Sequence, residues 1–330
     1  MKRLSLSGEK TKTRDEVFLQ GSKTGKIIER MGVYLALIIL LIVSGILSPA
    51  SVSPNHLLNV TRQASALGIV GIGQTFVIMT QGIDLSVGAN LTLIEILTAG
   101  MILGRGEMVL PVVILCLGIG AFIGLINGIG VSKLKLSPFV MTLCMMSVLT
   151  GVYLLYSGGS PRGKIPDSLR FIGAGRIGNV FPTAIIVWVI AIFIAFIVLR
   201  YTTFGRYIYA TGGNPQASYL SGVNVDVVII IAYVLSGLCS ALAGVLLSGY
   251  IGTGSLTVGK DYDLNSIAAV IMGGTTFSGG RGGVIGTIGG ALVITILFSL
   301  LTMLGIPHSG KLMAQGLIII GIVSLYAKRR

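Results

Sequence analysis

VLPVVILCLGIGAFIGLINGIGV, residues 109–131, runs for 23 residues without a charged side chain and with one amide, Asn127. As a helix rising 1.5 Å per residue it is about 34 Å long, enough for the roughly 30 Å hydrocarbon core of a bilayer. Gly120, Gly124 and Gly128 recur four apart within it, a ridge that lets a second helix approach closely. Such approach drives association where lipid tails are as apolar as the helices. The stretch reads as a packed membrane helix.

Comparable apolar stretches lie at 33–48, 64–82, 86–104, 138–157, 182–199, 227–250, 264–279, 284–306 and 312–327. They predict an all-α, polytopic transmembrane helical bundle of about ten spans, eight to ten. The uncertainty in number sits at SGGRGG, 278–283, which reads either as a turn between two crossings or as a re-entrant connection buried in protein. Two further small-residue ridges support a tight bundle: Ser236, Ser240, Gly244 and Ser248, and Gly282, Gly286 and Gly290.

Composition agrees. Of 330 residues 53% are hydrophobic and 11% charged, too few charges to clothe a soluble surface. The 48 glycines have no collagen period and sit inside apolar runs. The net charge of +13 is concentrated at the ends, with eight Lys or Arg in residues 1–30 and Lys328, Arg329 and Arg330 closing the sequence. This placement orients a membrane protein rather than building a nucleic-acid groove, and it puts both termini in the cytosol. Residues 1–30 form a polar cytosolic tail, and residues 31–330 form the transmembrane domain, which includes a cytosolic loop at 202–226.

Several chemistries find no support. GSKTGK at 21–26 has three residues between its glycines and Ile27 after its lysine, so it is not a phosphate loop. Cys116, Cys144 and Cys239 read as small buried hydrophobes. His56 and His308 are far apart and lack ligand-spaced companions, so no metal site is expected. No GxSxG elbow occurs.

Glu95 is the one ionisable residue near the middle of a predicted crossing, where an unpaired charge costs at least about 2.5–3.5 kcal/mol. It should face inward. Asn90, Thr92 and Thr98 lie within about a turn, and Gln74 and Asn127 occupy neighbouring crossings. Gln74, Asn90, Glu95 and Asn127 read equally as a polar path for a hydroxylated neutral solute and as interhelical hydrogen bonds. Asp84 in GIDLSVG, 82–88, reads as a cap accepting from Ser86 or Val87, with a proton site or gate as the alternative. The loop at 158–181, with Arg162, Lys164, Arg170, Arg176 and Asp167, reads as a docking surface for an acidic protein or as a solvated loop.

TTFGRYIYATGGNPQASYLSGVNVD, 202–226, is the longest cytosolic connection. Gly212, Gly213, Asn214 and Pro215 interrupt it, and Asn214 or the following turn begins a short helix carrying Ala217, Tyr219 and Leu220 and ending near Gly222. Small and apolar residues on a short helix make a knob suited to a groove in another cytosolic protein.

GIDLSVG at 82–88, TFGRYIYATGGNPQASYLSGV at 203–223 and IAAVIMGGTTFSGGRGGVIGTIGGALVI at 267–294 together resemble the membrane permeases of ribose-type ATP-binding-cassette sugar importers. The resemblance covers most of the hydrophobic body in family order. It implies a multi-pass subunit of the bacterial cytoplasmic membrane without catalytic residues, importing a monosaccharide or similar small polar solute. It also implies a coupling helix at 212–222 carried by Gly212, Gly213, Asn214, Pro215, Ala217, Ser221 and Gly222. The implied partners are a cytosolic ATPase, which holds the ATP and Mg, an external sugar-binding protein, and a second permease subunit. Family members often carry a small or apolar residue where Glu95 stands, which leaves the cargo open. The rival is an ion-coupled secondary transporter, for which Glu95 would be the relay.

Overall fold

Among the described residues, five helices have the length and apolar composition to cross a membrane: Gly106–Ser132, Pro138–Ser157, Thr183–Tyr201, Val225–Ile251 and Val284–Met303. The computed structural model describes residues 32–327, with side chains as far as 317. The charged tails, and with them the cytosolic placement of both termini, lie outside the described residues.

In chain order the helices are α1 Gly32–Leu47, α2 Pro54–Met79, α3 Val87–Ile102, α4 Val109–Ser132, α5 Pro138–Ser157, α6 Asp167–Ala174, α7 Thr183–Tyr201, α8 Thr203–Gly213, α9 Pro215–Leu220, α10 Val225–Ile251, α11 Tyr262–Met272, α12 Val284–Met303 and α13 His308–Ala327. A minimal antiparallel hairpin, β1 Arg176–Ile177 and β2 Phe181–Pro182, is the one sheet among the described residues. All ten apolar stretches thus contain helix.

The centre is α2, whose residues from Ala64 to Met79 are all buried. A helix apolar on every side belongs inside a bundle. Around it stand α7, with Trp188 against Gly68, α10, with Ser236 against Gly73, and α12. The Thr75 and Thr287 hydroxyls meet at 2.7 Å between α2 and α12.

The glycine ridge of α4 packs on α10. A Cβ at Gly124 would overlap the Tyr233 carbonyl, and one at Gly237 would overlap the Gly120 carbonyl. The backbones therefore touch, which maximises dispersion contact. On α10, Ser236 and Gly244 face α2 and α3 respectively. The third ridge needs correction: Gly286 and Gly290 lie on α12, but Gly282 precedes it at φ +131° and belongs to the connection. Cys116 is buried, whereas Cys144 sits on an exposed face of α5.

Two segments depart from simple crossings. Residues 80–86, between α2 and α3, are irregular yet Asp84, Leu85 and Ser86 are buried. Residues 252–261 lie irregularly between α10 and α11, and α11 has only 11 residues, about 16 Å. A buried irregular connection of the kind considered for 278–283 thus occurs at 80–86. The predicted span 264–279 is helical only to Met272; the glycines of 273–283, with positive φ at Gly274, Gly279, Gly280 and Gly282, end it there.

Non-helical backbone in a bundle interior needs internal partners. The Leu85 N–H donates to Thr142 Oγ1 at 3.1 Å, and the Ile83 carbonyl accepts from the Tyr233 hydroxyl at 3.1 Å. In the other segment Ser255 N–H donates to Glu95 Oε2 at 2.8 Å and Gly259 N–H to Thr92 Oγ1 at 3.1 Å. The second segment also packs on the first turn of α3: a Cβ at Gly259 would overlap the Gly88 carbonyl.

Candidate functional site

The knob builds itself from local chemistry. Asn214, extended at φ −157°, accepts from Ala217 N–H through Oδ1 at 2.9 Å, and Pro215 fills the first turn, where no amide is needed. Ser218 Oγ donates back to the Asn214 carbonyl, and Ser221 Oγ to the Ala217 carbonyl, both at 2.9 Å. Gly222 at φ +84° ends the helix, as a left-handed glycine does. Asn214, Pro215, Ala217, Ser221 and Gly222 are thereby gathered into one compact turn of chain. Tyr219 and Leu220 project from it, 71% and 79% exposed.

Gly212 and Gly213, adjacent in sequence, occupy opposite environments. Gly212 is buried at the end of α8, where a Cβ would overlap both the Met79 carbonyl and Gly280 N–H; Gly213 has nothing within reach of a Cβ. Gly280 N–H donates to the Met79 carbonyl at 3.0 Å. Gln81 Nε2 donates to the Gly212 carbonyl at 2.8 Å and the Ser278 carbonyl at 3.1 Å, and Tyr209 OH donates to the Gly282 carbonyl at 3.0 Å. The last turn of α2, the base of the knob and the α11–α12 connection are one hydrogen-bonded junction. Sequence reasoning missed Gln81 and the helix α8. The available signal for Gln81 was a lone amide between a long apolar run and a glycine.

Asp84 does bind Ser86, accepting from its N–H at 3.0 Å and its hydroxyl at 2.6 Å through Oδ1. Its Oδ2 accepts from Ser236 on α10 at 2.8 Å, so it also ties α3 to α10. Asn127 Nδ2 donates to Ser86 Oγ at 2.8 Å, and Asn90 Nδ2 to the Gly237 carbonyl at 3.1 Å. Asp84, Asn90 and Asn127 thus come together along α10. Gln74 is buried on α2 beside the Gly73 contact with Ser236, and neither of its polar atoms has a partner among the described residues. Glu95 lies apart, holding Ser255.

Two cavities lie elsewhere. One of about 370 Å³ is formed between α2, α11 and α12; the other, about 280 Å³, lies between α2, α7 and α10. Gln63 and Tyr262 line both. Gln74, Asn90, Glu95 and Asn127 line neither.

The basic loop is folded. Pro166 and Asp167 begin α6, and Gly173 packs directly on the Gly249–Tyr250 backbone of α10. Arg176 Nη2 donates to Asn59 Oδ1 at 2.8 Å, and Arg62 stands 4.7 Å over the Tyr250 ring. The hairpin is therefore fastened to the start of α2, at the opposite end of that helix from the knob.

Residues 56–323 match the family described as branched-chain amino acid transport system / permease component. The chain is 40% identical over 306 residues to the ribose import permease protein RbsC of Bacillus subtilis, covering 92% of this chain and 94% of that protein. It is 39% identical over 273 residues to the fructose import permease protein FrcC of Rhizobium meliloti, covering 81% and 76% respectively. Against the galactose/methyl galactoside import permease protein MglC of Escherichia coli strain K12 it is 33% identical over 320 residues, covering 91% and 95%. No solved structure matches. A polytopic helical bundle whose family match takes in the knob, its junction and both irregular segments is a membrane transport subunit, and the chain belongs to this family of permease components.

Proposed function

We propose that the chain is the membrane-spanning subunit of an ATP-driven importer for a monosaccharide or similar small polar solute, resident in a bacterial cytoplasmic membrane. Its apolar helices span the membrane with the knob end in the cytosol, where α9 seats on an ATPase that holds ATP and Mg. An external binding protein delivers the solute, and a second permease copy or a related chain completes the pore. The relatives, named as import permeases for ribose, fructose and galactose, support the solute class.

The observation that carries this reading is the junction beneath the knob. Exposed Tyr219 and Leu220 offer a grip, while Gln81, Gly212 and Gly280 join the knob's base to α2 and to the α11–α12 connection. A displacement of α9 therefore moves the central helix and the short helix α11. Nucleotide shifts the bundle between two access states through its differential affinity for them on the ATPase. Glu95, on which an ion-coupled alternative would rest, accepts from Ser255 N–H and holds 252–261 in place.

Uptake of labelled ribose, fructose and galactose into vesicles containing the assembled complex tests the proposal. Uptake that requires ATP and the ATPase and is blocked by vanadate supports it. Uptake that persists without the ATPase contradicts it.

A further inference from the structure

The larger cavity is chemically distinctive. Among the described residues, no Asp, Glu, Lys or Arg lines its volume of about 370 Å³. Its polar wall holds Gln63, Tyr262, Asn265 and the hydrogen-bonded pair His56 Nε2 and Ser299 Oγ, 2.9 Å apart, and Phe298 supplies an aromatic face. Asn265 Oδ1 is buried without a hydrogen-bond partner among the described residues. A buried acceptor left unpaired costs about 1–3 kcal/mol, so a turn of this side chain that brings its oxygen to a hydroxyl in the cavity relieves a standing penalty.

Position adds to composition. Tyr262 and Asn265 occupy the first turn of α11, the short helix that follows the irregular 252–261 segment. Interrupted crossings are where transporters place solute sites, because the chain turns polar groups inward there. Gln63 and Tyr262 also line the second cavity, so together they form a shared wall between two chambers.

We propose that this cavity is a low-affinity resting site for a neutral monosaccharide, held by amide and phenol contacts from Gln63, Asn265 and Tyr262 with its apolar face against Phe298. Its volume falls near the lower end of the roughly 300–1,000 Å³ of small-molecule sites, a size for one sugar ring rather than a chain of them. The uncharged wall offers a carboxylated sugar no counter-charge, and desolvating that carboxylate is costly. The proposal rests on the importer reading and gives it a location.

The test uses the assembled complex in lipid nanodiscs, with Thr295→Cys and, as a second position should the first fail to fold, Thr302→Cys, both on the cavity wall and neither among the proposed contacts. Modification by a small water-soluble thiol reagent is measured above the background of the unsubstituted protein, which has Cys116, Cys144 and Cys239. The probe is whichever of ribose, fructose or galactose the vesicles carry, with gluconate as the charged control. The expected result is modification that slows hyperbolically with sugar, by about fivefold at about four times the dissociation constant, and is unaffected by gluconate. Both positions unreactive, no slowing, or equal slowing by gluconate overturns the site while leaving the importer reading intact. Uptake of the sugar that persists without the ATPase overturns the importer reading and the sugar site with it.

Discussion

The Gln81 side-chain amide lies 2.8 Å from the Gly212 carbonyl and 3.1 Å from the Ser278 carbonyl, so one side chain at the end of α2 holds both the base of the knob and the α11–α12 connection. Gln81 itself sits at φ +65°, a conformation costly for a residue with a Cβ. Gln81→Ala removes both bonds, about 1 kcal/mol each. Uptake per ATP hydrolysed should fall by up to about thirtyfold, with ATPase activity retained. Simultaneous measurement of both rates in vesicles checks this; equal loss of the two would point to simple misfolding.

Gly212→Ala and Gly213→Ala should differ sharply although the residues are neighbours. The first places a methyl group on the Met79 carbonyl, while the second meets open space. Gly212→Ala is expected to lower the melting temperature and abolish uptake. Gly213→Ala should stay within about twofold of the parent, as surface substitutions do.

Glu95→Gln keeps an acceptor for Ser255 N–H, whereas Glu95→Leu leaves that amide unpaired. Near-normal uptake is expected for Glu95→Gln. Glu95→Leu should lose about 1–3 kcal/mol of stability, read as a lower melting temperature. Loss of uptake in Glu95→Gln with an unchanged melting temperature would instead identify a proton relay.

Asp84 gives a graded series. Asp84→Asn keeps one oxygen for Ser86 or Ser236, while Asp84→Ala releases both and leaves the start of α3 tied to α10 through Asn90 and the Gly237 carbonyl. The expected order of melting temperatures is parent, then Asn, then Ala, by differential scanning fluorimetry in detergent.

Much of the architecture was legible from hydropathy, because twenty apolar residues in a row have few other uses. The knob was legible too. Asn214 before Pro215 is a cap followed by a first-turn proline, and Gly222 is a stop, all three local signals. The irregular segments were legible only in part. The break between 64–82 and 86–104 was, but its burial was not: Ile83 and Leu85 are as apolar as any helix interior, and it is Thr142 and Tyr233, distant in sequence, that satisfy the backbone of 80–86, while Ser236 holds the Asp84 side chain. Glu95 was legible as inward-facing, but its partner is a backbone amide 160 residues away. The Gly282, Gly286 and Gly290 spacing misled because the same period arises by chance across a helix start.

The central claim is that α9 seats on a nucleotide-driven partner and passes its motion through Gln81 and Gly212. The most direct measurement is site-specific photo-cross-linking from Leu220, 79% exposed at the tip of the knob, in the assembled complex with and without ATP. The account predicts a cross-link to the ATPase subunit whose yield changes when nucleotide binds. A cross-link to the external binding protein, or modification of Leu220→Cys by an impermeant reagent added outside the cell, would contradict it.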